Sequence, residues 1–274
     1  MSRPDLFIGV VTYAGTQFPE SSTDRGLAYS LAKLVPRTVV EINSSNLWTP
    51  AHPPSPREAR DSQKAELRAE RRWAQFLGHS RRLSFLGRIS ARWAKFGLRS
   101  LRGFDADTVT RLMNIECSHL DLWNKALQSN AEFVLILEDD AGSDETDDLV
   151  AGLQAWRDKG LRPSFINLSA SFDTHQLDLS DLLSVDPGVT WSGTQGRTVL
   201  RASRPVTNTV CAVLYGREFL RKFVDRWEAA PTSPVLPIDW KMNMVLMDMF
   251  TAGAFAEHPV WWLEPAPIQQ RSMA

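Results

Sequence analysis

Three consecutive carboxylates, Glu138, Asp139 and Asp140, follow directly on the apolar run Phe133-Val-Leu-Ile-Leu137, and a second acidic run extends from Asp144 to Asp148 beyond Gly142. Carboxylates crowded in this way repel one another and lose hydration unless a cation offsets them. Hard divalent ions such as Mn²⁺ or Mg²⁺ favour carboxylate oxygens and commonly bring a substrate phosphate as co-ligand. One reading is therefore a strand tip holding a metal that in turn holds a diphosphate. The other is a strand that ends in a solvated acidic loop. Two further groups could do acid–base or ligand chemistry. Asp239, in Pro237-Ile-Asp239-Trp240, could take a proton from an acceptor hydroxyl, or simply place negative charge at a helix start. His119 and His258 could offer imidazoles, against the alternatives of a buried, hydrogen-bonded core histidine and a surface histidine.

These residues need a scaffold, and the pattern around them supplies one. The run Phe133–Leu137 lacks polar alternation, as expected of a strand buried on both faces of a parallel α/β sheet. In such sheets ligands bind beyond the carboxyl ends of the strands, where Glu138 to Asp140 fall. Leu6–Thr12 reads as a first strand, ending at Thr12-Tyr13-Ala14-Gly15. Ser21 to Asp24 offers an N-cap for a helix through Leu34, and Thr38–Ile42 reads as a second strand ending at Asn43. No dinucleotide-type glycine fingerprint follows the first strand, which counts against NAD and FAD.

The helix Asp107–Gln128 carries Leu112, Ile115, His119, Trp123 and Ala126/Leu127 on one stripe and delivers the chain into the central strand. Asp144–Asp158 reads as a helix with Leu149, Leu153 and Trp156 inward. Phe165–Ser169, Thr198–Ala202 and Thr207–Tyr215 read as strands, the last passing straight into a helix, Arg217–Trp227. Val185–Gly196 reads as irregular and Pro231–Pro237 as a loop. A helix opens at Pro237 and runs through Phe250, one or two strands lie in Ala254–Leu263, and the end is extended. Trp240, Trp261 and Trp262 could face a sugar ring, with core packing the expected role for at least two of them.

Between a Pro/Ala/Ser loop at 49–56 and the helix at Asp107, the segment 57–102 carries thirteen Lys and Arg against four acids. Trp73, Phe76, Leu77, Phe85, Leu86, Ile89, Trp93 and Phe96 recur at helical spacing among them. Such a basic amphipathic pair can pack its apolar face on a core. Its basic face, with Arg81, Arg82, Arg88 and Arg92, can meet an anionic membrane surface or a phosphate-bearing acceptor.

Composition narrows the classes. At 274 residues with 43% hydrophobic content, the chain can bury a large core and reads as one α/β domain, 1–274, with 57–102 as an insertion. A net charge of -1 argues against nucleic acid as a partner. Two cysteines, Cys117 and Cys211, without paired spacing point to a reducing compartment rather than a disulfide framework. The apolar part of the N-terminal stretch is too short for a signal peptide or a membrane span. A cytoplasmic protein is the expectation, with contact at the inner membrane face open to it.

Read together, Cys117-Ser118-His119-Leu120-Asp121-Leu122-Trp123-Asn124-Lys125-Ala126-Leu127 and Phe133–Ala141 resemble family-25 glycosyltransferases, a group including bacterial lipopolysaccharide and collagen galactosyltransferases. Thr209–Tyr215 before a helix, Pro237-Ile-Asp239, and the closing Gln269/Gln270 to Ser272 are similar to later parts of that pattern. The N-terminal third departs from it, Glu116 stands where the family often has Gly, and 57–102 has no counterpart.

The resemblance implies a GT-A fold: a mixed, mostly parallel Rossmann-like sheet flanked by helices, here with a basic helical insertion. It implies Mn²⁺ (or Mg²⁺) on Asp140 directly, with Glu138 reaching the metal through water or the ribose and His258 able to complete the shell. Asp139 orients the loop at the donor. Thr12, Tyr13 and Asn43 fall at the nucleotide, His119 lies near the nucleotide or supports the acidic loop, and Asp239 is the base of an inverting transfer, with Asp121 and Asp173 as weaker alternatives. The donor implied is a nucleotide-sugar, a UDP-hexose first, and the acceptor a glycan or glycolipid in envelope polysaccharide synthesis. Two other readings use the same residues: a nucleotidyltransferase, which usually wants a richer Gly/Lys loop than Ala14-Gly15-Thr16, and a non-catalytic relative that binds through 57–102.

Overall fold

The computed structural model describes residues 5–12, 23–44, 68, 72, 106–161, 165–169, 182–191, 196–204, 207, 209–229, 238–255 and 259–270. Ten strands and five helices are described. In chain order they are β1 (Leu6–Thr12), α1 (Thr23–Leu34), β2 (Thr38–Ser44), α2 (Ala106–Ser129), β3 (Phe133–Glu138), β4 (Ala141–Gly142), α3 (Thr146–Asp158), β5 (Phe165–Asn167), β6 (Leu183–Val185), β7 (Thr198–Ala202), β8 (Ala212–Gly216), α4 (Arg217–Ala229), α5 (Ile238–Thr251), β9 (Val260–Glu264) and β10 (Gln269–Gln270).

The main sheet has eight strands in the order β2-β1-β3-β8-β5-β9-β7-β6. β1 pairs in parallel with β2 and β3, and β5 with β9, whereas β8 and β7 run against their neighbours. Six of the eight strands therefore point one way, which makes the sheet mostly parallel and mixed, as expected. Period-two alternation explains why both faces are covered. Leu6, Ile8, Val10, Phe133, Leu135, Leu137, Trp261 and Leu263 join a core with α1 and α3, while Phe7, Val11, Val134, Ile136, Val260 and Trp262 join one with α2, α4 and α5. Every residue of β1 and β3 is buried. Trp261 and Trp262 sit on opposite faces of β9, both in the core, so neither faces a sugar.

Helix α2 crosses β1, and its inward stripe is centred on Trp123. That ring meets Phe223 and Trp227 edge-on at 5.2 and 5.1 Å and Tyr215 at 6.2 Å. Each such pair adds about 0.5–1.5 kcal/mol beyond its buried area. The close seating of α2 requires Gly9, because a Cβ there would lie 2.8 Å from the Ile136 Cδ1 and 3.2 Å from Leu122.

Two expectations change. The strand read as Thr207–Tyr215 begins only at Ala212, because Thr207, Thr209 and Cys211 are held by side-chain hydrogen bonds instead. Val185 belongs to a short strand, β6, that pairs with β7. One strand, β9, lies between Ala254 and Leu263 among the described residues, within the one or two expected. The proposed insertion 57–102 lies outside the described residues except for Arg68 and Arg72, which are helical and exposed. Arg72 forms an ion pair with Asp248 on α5.

Candidate functional site

β3 ends at Glu138, at the carboxyl edge of the parallel strands β1, β2 and β3. Glu138 and Asp139 are buried and Asp140 is half-buried. The backbone N–H of Glu138 donates to the Cys211 carbonyl at 2.8 Å, extending the β3–β8 ladder by one rung and setting Cys211 opposite Glu138. One carboxylate oxygen each from Glu138 and Asp140, and the Cys211 Sγ, lie within 4.8 Å of one another. The Cys211 thiol donates to Asp140 Oδ1 at 3.8 Å, and Gln270 Nε2 donates to Asp140 Oδ2 at 3.0 Å. Burial, and then the charges of Glu138 and Asp140, push the thiol far above its ordinary value of 9.0.

His119 faces this group from α2. It is 1% exposed, its Nε2 lies 3.8 Å from Glu138 Oε1, and neither ring nitrogen has a hydrogen-bond partner among the described residues. The helical stripe placed it inward as expected, but it is not the hydrogen-bonded core histidine of the alternative reading. A buried imidazole without partners costs free energy, and such groups call for a physical reason.

The remaining side chains secure the site's position. Thr12 Oγ1 donates to the Asn43 carbonyl at 2.5 Å, and the Asn43 amide donates to the Ser118 carbonyl at 3.5 Å and to Asp121 at 3.2 Å. Asp121 also pairs with Lys125 at 2.9 Å. Thr12 and Asn43 thus stand at the tips of β1 and β2, as the sequence placed them, and join those tips to α2.

Thr207 is fastened to α5 by a reciprocal pair. Thr207 N–H donates to Asn243 Oδ1 and Asn243 Nδ2 donates to the Thr207 carbonyl, both at 2.9 Å. Thr209 Oγ1 accepts the Cys211 N–H at 3.1 Å, and Ser169 Oγ accepts the Ala212 N–H at 3.2 Å. Asp239 is half-buried in the first turn of α5, one turn before Asn243, so the same tether fixes its helix end relative to the stretch that carries Cys211.

The C-terminal stretch closes the cluster. β10 pairs antiparallel with β4, just beyond Asp140, and the Ile268 N–H donates to the Leu168 carbonyl at 3.0 Å. The approach is held by buried Arg197, which donates to the Pro265 carbonyl and to Asp148 Oδ2 and pairs with Glu145. Burial lowers the Arg197 pKa, and the two carboxylates compensate its charge in place. The second acidic run therefore does structural work in part: Asp148 also accepts the Trp191 indole N–H at 3.0 Å.

The donor set fits a divalent ion. Atoms bound about 2.0–2.3 Å from one metal are separated from each other by roughly 3–4 Å. The two carboxylates and the thiol are already close to that spacing. Of the residues expected at the site, Glu138, Asp139, Asp140 and His119 come together, with Thr12 and Asn43 at the neighbouring strand tips. Tyr13, His258, Asp173, Arg81, Arg82, Arg88 and Arg92 lie outside the described residues. Cys211 and the Gln270 contact were not read as site features. Cys211 offered a sequence reader only an unpaired cysteine, although Gln270 lay within the closing Gln and Ser pattern.

No family model matches the chain, and no curated protein matches it. Among solved structures, a CMP:2-keto-3-deoxy-manno-octonic acid synthetase complexed with CTP is similar at 12% sequence identity and a TM-score of 0.37, over 94% of this chain and 88% of that one. A likeness of that degree carries no argument about activity.

Proposed function

We propose that this chain is a metal-dependent glycosyltransferase of the family-25 type, moving a hexose from a nucleotide-sugar, with a UDP-hexose as donor, to a glycan or glycolipid acceptor. The observation that carries the reading is the convergence of Glu138, Asp140 and Cys211 at the carboxyl edge of the sheet, where α/β folds bind ligands. Glu138 and Asp140 would hold Mn²⁺ or Mg²⁺, and such an ion supplies neutralisation of the charge that develops on a departing diphosphate. Asp139 orients the acidic loop, and the tips of β1 and β2 at Thr12 and Asn43 border the nucleotide. Asp239 accepts the proton of the acceptor hydroxyl. Among the described residues no helix is long and apolar enough to cross a membrane. Contact with a membrane-borne or phosphorylated acceptor is assigned to the basic segment 57–102.

Titration calorimetry of UDP and GDP, with and without Mn²⁺, tests this on the wild type and on Asp140→Ala. Metal-dependent binding of one nucleotide that disappears in the variant is the expected result and identifies the donor base. Failure of both nucleotides to bind in either metal state would overturn the reading.

A further inference from the structure

We propose that Cys211 is a metal ligand that biases the strand-tip site toward a transition ion (Mn²⁺, Co²⁺ or Zn²⁺) over Mg²⁺; this rests on reading Glu138 and Asp140 as a metal site. Cys211 is placed for this role from three directions. Its carbonyl receives the Glu138 N–H, its own N–H is held by Thr209 Oγ1, and its thiol points at Asp140 Oδ1. Thr207 and Thr209 before it are buried, and Thr207 is stapled to α5 through Asn243. A second observation points to a ligand independently: His119, 1% exposed, directs an imidazole without hydrogen-bond partners at the Glu138 carboxylate. An imidazole beside a carboxylate ligand, here with Nε2 3.8 Å from Glu138 Oε1, is a group that would orient that ligand from the outer shell.

The chemistry is a simple exchange. The S–H bond breaks, a metal–sulfur bond forms, and the proton passes to solvent. Sulfur is a soft donor, and Mg²⁺ takes oxygen ligands almost exclusively, so a thiolate adds affinity for transition ions and little for Mg²⁺.

The test is a Co²⁺ titration in a Cys117→Ser background, which leaves Cys211 as the sole thiol, beside Cys211→Ser and Asp140→Asn in the same background. Mg²⁺ binding is followed by calorimetry. The expected result is a thiolate-to-Co²⁺ charge-transfer band that is absent from Cys211→Ser, with Co²⁺ affinity falling about 10–100-fold and Mg²⁺ affinity unchanged within about twofold. Co²⁺ binding that depends on Asp140 but shows no charge-transfer band would overturn the role of Cys211 and leave the metal site standing. Absence of both Co²⁺ and Mg²⁺ binding would overturn the metal site itself. The spectrum of the protein with Cys211 intact decides the point even where a variant fails to fold.

Discussion

Asn243→Leu gives the sharpest test of how this site is held together. Asn243 is 4% exposed and Thr207 1% exposed, and two hydrogen bonds of 2.9 Å join the amide to both backbone groups of Thr207. Leucine has the same branched skeleton and is the larger side chain, so no cavity forms. What changes is that the Thr207 N–H and carbonyl lose their partners away from water. Each stranded polar group costs about 1–3 kcal/mol, so the substitution should remove roughly 2–6 kcal/mol. Urea unfolding followed by circular dichroism measures it, and the midpoint should fall while the m-value stays constant. Freed from α5, Thr207 and Thr209 should also hold Cys211 less firmly, weakening Co²⁺ binding. A stability loss below about 1 kcal/mol at unchanged m would refute the claim that this staple anchors Thr207.

Three other outcomes follow from buried contacts. Glu116→Ala strands Lys241, which is 3% exposed, pairs with Glu116 and lies 4.2 Å from the Trp227 ring centre; the expected loss is about 3–5 kcal/mol, and joint replacement of Glu116 and Lys241 by Met should restore most of it in a double-mutant cycle. Gly152→Ala should cost about 1–3 kcal/mol in thermal unfolding, because a Cβ there would lie 2.1 Å from the Trp191 ring, whose indole N–H is fixed to Asp148. Burial raises the pKa values of Cys211 and Tyr215 above 9.0 and 10.0, so above those values the unfolded chain ionises while the native groups stay protonated. Stability is therefore complete below pH 9 and falls as pH rises, by up to about 1.4 kcal/mol per pH unit for each group, and urea midpoints that stay flat to pH 11 would contradict this.

Much of the framework was legible in residue patterns. The unalternating run Phe133–Leu137 marked a doubly covered strand, and the carboxylates after it fall at the carboxyl edge of the sheet as expected. The 3.6-residue stripe of Ile115, His119 and Trp123 put the imidazole on the inner side of α2. The later start of β8, at Ala212, was missed because Thr-rich, β-branched sequence reads as strand. Thr207 is held instead by Asn243, thirty-six residues away. The acidic run at 144–148 read as uniform, yet Asp148 is sealed against Arg197 and Trp191.

The sequence by itself determined the periodicities: which strands are buried on both faces, which helix faces turn inward, and that three carboxylates stand at a strand end. These are local properties, fixed by side-chain alternation and hydrophobicity along contiguous residues. Only the tertiary structure decided that Cys211 sits opposite Glu138 and that Gln270 returns to Asp140. It also left His119 without a hydrogen-bond partner beside the acidic cluster. Those contacts arise from antiparallel insertion of β8 between β3 and β5 and from the docking of β10 on β4. The register of such long-range pairings depends on the packing of the whole sheet, which no short window of residues encodes.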